Sequence, residues 1–301
     1  MKIKGYKIID SIGQGGYGAV WLVEEKKTGQ QLAMKLILPE DTLNKDKRDL
    51  FLRECRNACQ LSHPNIVHYK AYDEDGGNVY LLMEYCPGGS VEELINRNKD
   101  IFWRDSERLK DRVEMSTHII LQVLDGLAYA HQAQVTARLA DGSVQTVSGI
   151  VHRDLEPGNI FLMDKTLNPQ AKVADFGLAK AFLTAGFTKY TYTDDRAGKP
   201  RFIPRQQILD FRHVKPEVDV WAAAATYYYL LTESYPKDIE YALDPFDSAL
   251  EKDPIPILDR EPRLRKKFAK LAKVIDTALQ EKPEIGFQTA KDFREAIINA
   301  R

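Results

Sequence analysis

The chain has 301 residues, 44% of them hydrophobic and 29% charged, and its 43 Lys+Arg against 44 Asp+Glu give a formal net charge of -1. That length and apolar content can fill one large core or two ordinary ones, whereas the even charge balance excludes the electrostatic footprint of a nucleic-acid binder or of a protein held on an anionic membrane. No apolar run is long enough to span a bilayer, and Met1 leads straight into alternating residues with no signal-peptide core, so the expected location is the cytoplasm.

Residues 6 to 38 read as three strands. Tyr6 to Ile12 alternates, the loop Gly13-Gln-Gly15-Gly16-Tyr-Gly18 follows, and Ala19 to Val23 and Leu32 to Ile37 flank the turn at Lys27-Thr-Gly-Gln30. A dinucleotide fingerprint has the same glycines but must continue into a helix; here Val20, Trp21 and Val23 continue a strand, so the loop is a hairpin whose backbone N–H groups can approach phosphate oxygens. The third strand carries Lys35. A helical pattern over Lys47 to Leu61 carries Glu54, with Leu50, Phe51, Ala58 and Leu61 as a candidate buried stripe. Of the three cysteines, Cys55 and Cys59 share a helical face, but with Cys86 and the scattered histidines they lack metal-ligand spacing and read as packed thiols.

Two more strand-like runs, Val67 to Tyr72 and Val79 to Tyr85, bring the total to five and end in Met83-Glu-Tyr-Cys-Pro-Gly-Gly89. A short helix starts at 91–98 and a long one runs from Val113 to His131, with Ile119, Ile120, Val123, Leu124, Leu127 and Ala128 on one stripe. Alternation on both sides of Asp141-Gly142 then predicts a β-hairpin within Gln134 to Ser148, to which no chemistry is assigned.

The segment His152-Arg-Asp-Leu-Glu-Pro-Gly-Asn159 lies between two apolar runs and reads as a loop held by buried backbone. It offers a carboxylate at Asp154 and an amide at Asn159, which suit the orientation of a hydroxyl and the binding of a hard cation. A second carboxylate follows at Asp175-Phe-Gly. Beyond a hydroxyl-rich stretch, helices are expected from Asp219 through Leu231, over Leu264 to Leu279 and over Thr289 to Ile298.

Taken together, the glycine loop, Leu-Ala-Met-Lys35, Glu54, His-Arg-Asp154-Leu-Glu-Pro-Gly-Asn159 and Asp175-Phe-Gly resemble the eukaryotic-type (Hanks-type) serine/threonine protein kinases, in a bacterial member, from about Tyr6 to Ile298. The resemblance implies a bilobal α+β fold: a five-stranded β lobe with one helix over residues 1–84, and a larger, mainly helical lobe over 85–301 that carries the 134–148 insert. It implies a signalling transferase that moves the γ-phosphoryl of ATP to a protein hydroxyl, with Asp154 taking the proton, Asn159 and Asp175 holding Mg²⁺, and Lys35 positioning phosphates under the control of Glu54. Nucleotide contacts are implied at Gly13, Gly15, Gly16, Gly18, Val20, Ala33, Lys35, Met83, Glu84, Cys86 and Phe161. Regulation is implied at Arg153, which would order a phosphate on Thr184, Thr188, Thr191 or Thr193 of the activation segment, Asp175 to Gln206. The partner is a protein substrate, with no nucleic acid and no membrane segment, and further domains are allowed for beyond Arg301.

Three positions depart from the family pattern. Glu156 stands where serine/threonine kinases have a lysine at the γ-phosphate, Lys199 where a threonine follows the glycine, and Gln206 where a glutamate closes the segment. That glutamate normally pairs with an arginine, whose place here is taken by Gly286, so both ends of one buried ion pair are expected to be missing together. Glu156 and Lys199 are expected to be near neighbours. Glu156 is expected to lower the rate, and it motivates the alternative reading, a nucleotide-binding pseudokinase that signals by shape. A small-molecule kinase fits less well with the long hydroxyl-bearing segment.

Overall fold

The computed structural model describes residues 3–15, 18–37, 55–56, 58–75, 78–98, 108–138, 143–176, 199–211, 213–240 and 244–301. Strands β1 (Tyr6–Gly15), β2 (Gly18–Glu25), β3 (Gln31–Ile37), β4 (Tyr69–Asp75) and β5 (Asn78–Glu84) form one antiparallel sheet in the order β1-β2-β3-β5-β4. Because side chains alternate across a strand, Leu32 and Met34 pack with Val23, Tyr80 and Leu82 on one face. Ala33 faces the other way, packing with Val79, Leu81 and Met83. Lys35 shares the parity of Ala33, so a one-residue slip of β3 would turn it out of the cleft. The first strand runs further than its alternation suggested, through Gly15 to pair with Gly18, and its register shifts twice, between Ile8 and Asp10 and between Ser11 and Gly13.

The second lobe is built on α1 (Val91–Asn98), α2 (Leu109–Ala130), α3 (Arg205–Leu209), α4 (Glu217–Thr232), α5 (Pro245–Glu251), α6 (Ile257–Arg260), α7 (Ala269–Ala278) and α8 (Ala290–Asn299). From Val218 to Tyr228 every residue of α4 is buried, the signature of a helix at the centre of a core rather than on its surface. Trp221 fixes its depth, with Nε1–H donating to Leu279 O at 3.0 Å. Of the stripe expected on α2, Ile119, Ile120, Val123, Leu124 and Leu127 are fully buried in the same core, whereas Ala128 sits at its margin and is only partly buried. A three-stranded sheet, β10 (Ala171–Val173), β9 (Ile160–Leu162) and β6 (Gly89–Ser90), backs the cleft. Val67 N–H donates to Val173 O and Val173 N–H to Asn65 O, both at 2.9 Å, which stitches the lobes together. Among the described residues no helix is long and apolar enough to cross a membrane.

The insert pairs as β7 (Gln134–Arg138) with β8 (Val144–Ser148). Its ends meet: Gly149 N–H donates to Ala133 O and Ile150 N–H to Ala130 O, both at 2.8 Å, and Gly149 has φ 79° with no room for a Cβ beside His131 O. The hairpin is nevertheless not confined to the surface. Val135 is 2% exposed and belongs to the main core, and the Gln60 side chain donates to Thr136 O (3.1 Å) and accepts from Thr136 N–H (2.8 Å), as a neighbouring strand would.

Candidate active site

The loop from His152 to Asn159 is held from beneath by one buried carboxylate. Asp219, in the first turn of α4, accepts from His152 N–H (2.7 Å), Arg153 N–H (2.8 Å) and His131 Nε2–H (2.8 Å). Burial, the largest single influence, opposes ionisation of Asp219, but the His131 and His152 rings and the Arg153 N–H outweigh it and hold the carboxyl below the usual carboxylate range. These bonds over-determine Arg153, which has the left-handed φ of 69° that non-glycine residues rarely adopt. Ala174 O can only accept, so the His152 ring carries its proton on Nε2 (2.6 Å), leaving Nδ1 to accept from Asp154 N–H (3.2 Å). The same ring meets Phe176 edge-on at 4.8 Å, so one histidine joins the Asp154 loop to the Asp175-Phe176 turn.

Asn159 reaches back to Asp154, donating to its backbone O at 2.6 Å and to Oδ2 at 3.5 Å, and Asn159 O accepts from Ala174 N–H at 2.9 Å. Across the cleft Lys35, only 8% exposed, places Nζ 2.7 Å from Asp175 Oδ2. Asp175 has φ 60° and its N–H donates to the Tyr69 hydroxyl at 2.6 Å. Burial pushes the Asp175 carboxyl up, but the Lys35 ammonium, His152 and the Tyr69 hydroxyl together outweigh it and keep it below the usual range. Burial likewise drives the Tyr69 phenol well above its ordinary value, so it remains a neutral donor.

Beside these polar groups lies an apolar cluster. Ala33, Met83, Cys86, Val20 and Phe161 belong to one cluster with Val67 and Leu81. The Cys86 thiol is pushed up to about 12, chiefly by burial, so it behaves as a small hydrophobe. Glu84 N–H is committed to His68 O at 2.9 Å, and its carboxylate pairs with Lys172 at 3.0 Å. Gly13, Gly15 and Gly18 lie at the paired ends of β1 and β2.

A family model described as "Protein kinase domain" matches residues 6–284. The chain belongs to the protein kinase domain family. Among the curated relatives of this kinase domain, a probable serine/threonine-protein kinase nek2 of Dictyostelium discoideum is 30% identical over 77% of the chain and 49% of that protein. The serine/threonine-protein kinase ATG1a of Arabidopsis thaliana is 26% identical over 77% of the chain and 32% of its own length. The chain thus spans half or less of the length of these two relatives. Among solved structures, a variant of the Mycobacterium tuberculosis PknI kinase domain superposes over 100% of this chain and 97% of its own with a TM-score of 0.68 at 21% identity, which establishes the bilobal kinase fold.

The structure therefore brings Lys35, Asp154, Asn159 and Asp175 together near the apolar cluster that contains Val20, Ala33, Met83, Cys86 and Phe161. Gly16, Glu54, Thr184, Thr188, Thr191, Thr193 and the side chain of Lys199 lie outside the described residues. Glu156 is half-buried. Its Oε1 and the Oε2 of Glu92 on α1 both approach the space left by the missing Cβ of Gly158, at 3.6 and 3.2 Å. The guanidinium of Arg153 lies over the Phe211 ring at 5.6 Å.

Gln206 and Gly286 lack the family's charges, as expected, but a different buried ion pair stands beside them. One residue before Gln206, Arg205 Nη1 meets Glu281 Oε2 at 3.1 Å, and Lys237 Nζ meets Glu281 Oε1 at 2.8 Å, all three side chains being buried. The signal was present as a basic residue and an acidic residue each displaced from the family position, with their signs exchanged.

Proposed function

We propose that this kinase domain transfers the γ-phosphoryl of ATP to a serine or threonine hydroxyl of a protein. The observation that carries the reading is the pairing of Lys35 with Asp175 and of Asn159 with Asp154, joined through the Asn159–Ala174 backbone bond and adjacent to the apolar cluster that holds Ala33 and Phe161. The printed names of the curated relatives, serine/threonine kinases, support the choice of acceptor, as does Pro157 in the catalytic loop.

The site fits Mg-ATP by the chemistry of its donors. Asp175 and Asn159 present a carboxylate and an amide oxygen, the hard ligands that Mg²⁺ takes, and the ion when bound would neutralise phosphate charge. Lys35 is the cation available to the phosphates from above. The adenine edge would meet Glu84 C=O and Cys86 N–H, because Glu84 N–H is spent on His68 and Cys86 O accepts from Gly89 N–H at 3.2 Å. Asp154, with its main chain fixed by His152 and Asn159, would accept the proton of the attacking hydroxyl. Glu156 is the feature that favours a nucleotide-binding module without transfer; it adds negative charge near the phosphates but leaves the base, the metal ligands and Lys35 in place.

Mass spectrometry of the purified chain after incubation with Mg-ATP and a generic basic protein tests the reading. Phosphoserine or phosphothreonine on either protein is expected, including threonines between Thr184 and Thr193, and none with Asp154→Asn. Phosphate confined to tyrosine would contradict the acceptor class, and its complete absence would favour the module.

A further inference from the structure

The end of the activation segment is tied down on both sides by three consecutive residues. Arg205 N–H and Nη1 donate to the two oxygens of Glu281 (2.9 and 3.1 Å), while its guanidinium also reaches Asp253 Oδ1 (2.8 Å), Lys252 O (2.8 Å) and Leu250 O. Gln206 Nε2–H donates to Glu281 O at 2.8 Å. Gln207, 4% exposed, turns the opposite way and donates from Nε2 to Arg153 O at 2.6 Å, the peptide carbonyl directly preceding Asp154. Glu281 is further held by Lys237, whose Nζ donates to Ala249 O at 2.9 Å and lies 5.3 Å from the centre of the Trp221 ring. The chain from Lys199 to Gln207 is thus clamped between the core beneath it and the catalytic loop beside it.

We propose that Arg205 and Gln207, gripped through Glu281, are positioning residues for phosphoryl transfer: they set where the substrate-binding end of the activation segment lies relative to Asp154, through an ion pair of polarity opposite to the family's. The proposal rests on the kinase reading above. Two features show that this anchor replaces the family pair rather than supplementing it. A Cβ on Gly286 would stand 1.9 Å from Thr277 O, a backbone atom, so no arginine can be accommodated there. A carboxylate at position 206 would face the Glu281 carbonyl oxygen that Gln206 now donates to, turning an attraction into a repulsion. Removal of the Glu281 charge leaves Arg205 and Lys237 as two buried cations sharing no acid of comparable burial, since Asp253 is exposed; removal of Arg205 leaves Glu281 paired with Lys237.

The test uses the full chain and compares Gln207→Leu, Arg205→Gln, Arg205→Lys and Gln206→Glu with the wild type. Three quantities are read: backbone amide exchange over 150–156 and 199–209, KM and kcat for a basic protein substrate, and the melting shift given by Mg-ATP. Gln207→Leu and Arg205→Gln are expected to speed exchange in both stretches and to lower kcat/KM for the protein substrate by about ten- to a hundredfold, the scale of an ångström-sized misplacement, with the Mg-ATP shift unchanged. Arg205→Lys should recover part of that loss, and Gln206→Glu, although it restores the family residue, should make matters worse. Variants that melt earlier but keep wild-type kcat/KM would overturn the proposal, as would a gain of activity in Gln206→Glu. Failure of the wild-type chain to transfer phosphate would instead overturn the kinase reading, and unchanged exchange in Gln207→Leu would then reject the clamp on its own.

Discussion

Lys35 and Asp175 hold each other 2.7 Å apart across the cleft, and these are the two charges proposed to engage a nucleotide. Mg-ATP binding to the folded chain alone should raise the melting temperature by mass action, equivalent to about 2.7 kcal/mol at a hundredfold excess over Kd. Lys35→Ala should abolish most of that shift, as read by differential scanning fluorimetry; a full shift in the variant would remove Lys35 from the binding site. Asp219 makes a second prediction at this scale. Asp219→Asn should cost about 2–3 kcal/mol at neutral pH, measured by urea unfolding, because three donors lose a charged acceptor. A carboxyl depressed in the folded state contributes stability that is fully present above the unfolded value of about 3.9 and is lost as pH falls through the folded one. The gap between wild type and Asp219→Asn should therefore narrow below about pH 4, and a gap that widened there would show that Asp219 is not held ionised. Residues such as Asp154, Asn159 and Asp175 were legible as candidates in the sequence because each lies in a short ungapped motif. The partnership of Arg205 with Glu281 was not, because the two are far apart in the chain and the motif directs attention to their neighbours Gln206 and Gly286.

Elements were legible where periodicity was long and unbroken. Five of the six stripe residues expected on α2 are buried, Ala128 being only partly so, and the helix begins four residues before its apolar pattern, at Leu109, with Lys110, Asp111 and the buried Arg112. Arg112 is carried there by its ion pair with Glu261 at 2.7 Å, a tertiary contact that no periodicity announces. The pattern over Leu264 to Leu279 overran the true helix: Pro262–Arg265 form a separate 3-10 turn and α7 starts only at Ala269. The short α5 went unread despite a local signal, Asp244 capping Phe246 N–H at 2.8 Å ahead of Pro245. The 134–148 hairpin was legible as a shape, from Asp141-Gly142 and flanking alternation, but its burial was not. Val135 and the Gln60 contacts give deletion a definite cost. Replacing the hairpin with a short Gly-Ser link should leave a folded chain, because its ends already meet, yet lower stability in urea by roughly 1.5–3 kcal/mol, the worth of one buried valine side chain. No loss would show that the hairpin is peripheral, and failure to fold would show that it supports far more of the core than Val135 does.

At the scale of the whole molecule, two apolar clusters, one inside the sheet lobe and one around α4, meet where Ile66 bridges Val173, two residues before Asp175. Asn65 strengthens that junction, donating to Ala171 O at 2.9 Å and to Gln122 Oε1 at 3.0 Å. The cleft is thus a consequence of how the lobes are joined, and the groups proposed to act in it come from both sides of the joint. The alternation of β3 determines that Lys35 faces inward, and the burial of α4 from Val218 to Tyr228 determines that Asp219 can grip the loop from His152 to Asn159. Neither depends on Glu156, which is why the architecture supports transfer although one expected lysine is missing. The most direct measurement is the initial rate of phosphate transfer from radiolabelled Mg-ATP to a basic protein, comparing the wild-type chain with Asp154→Asn in parallel. The account predicts a measurable wild-type rate that falls about 10²–10⁴-fold in the variant, the usual weight of a catalytic base; equal rates in the two, or none in either while both bind Mg-ATP, would contradict it.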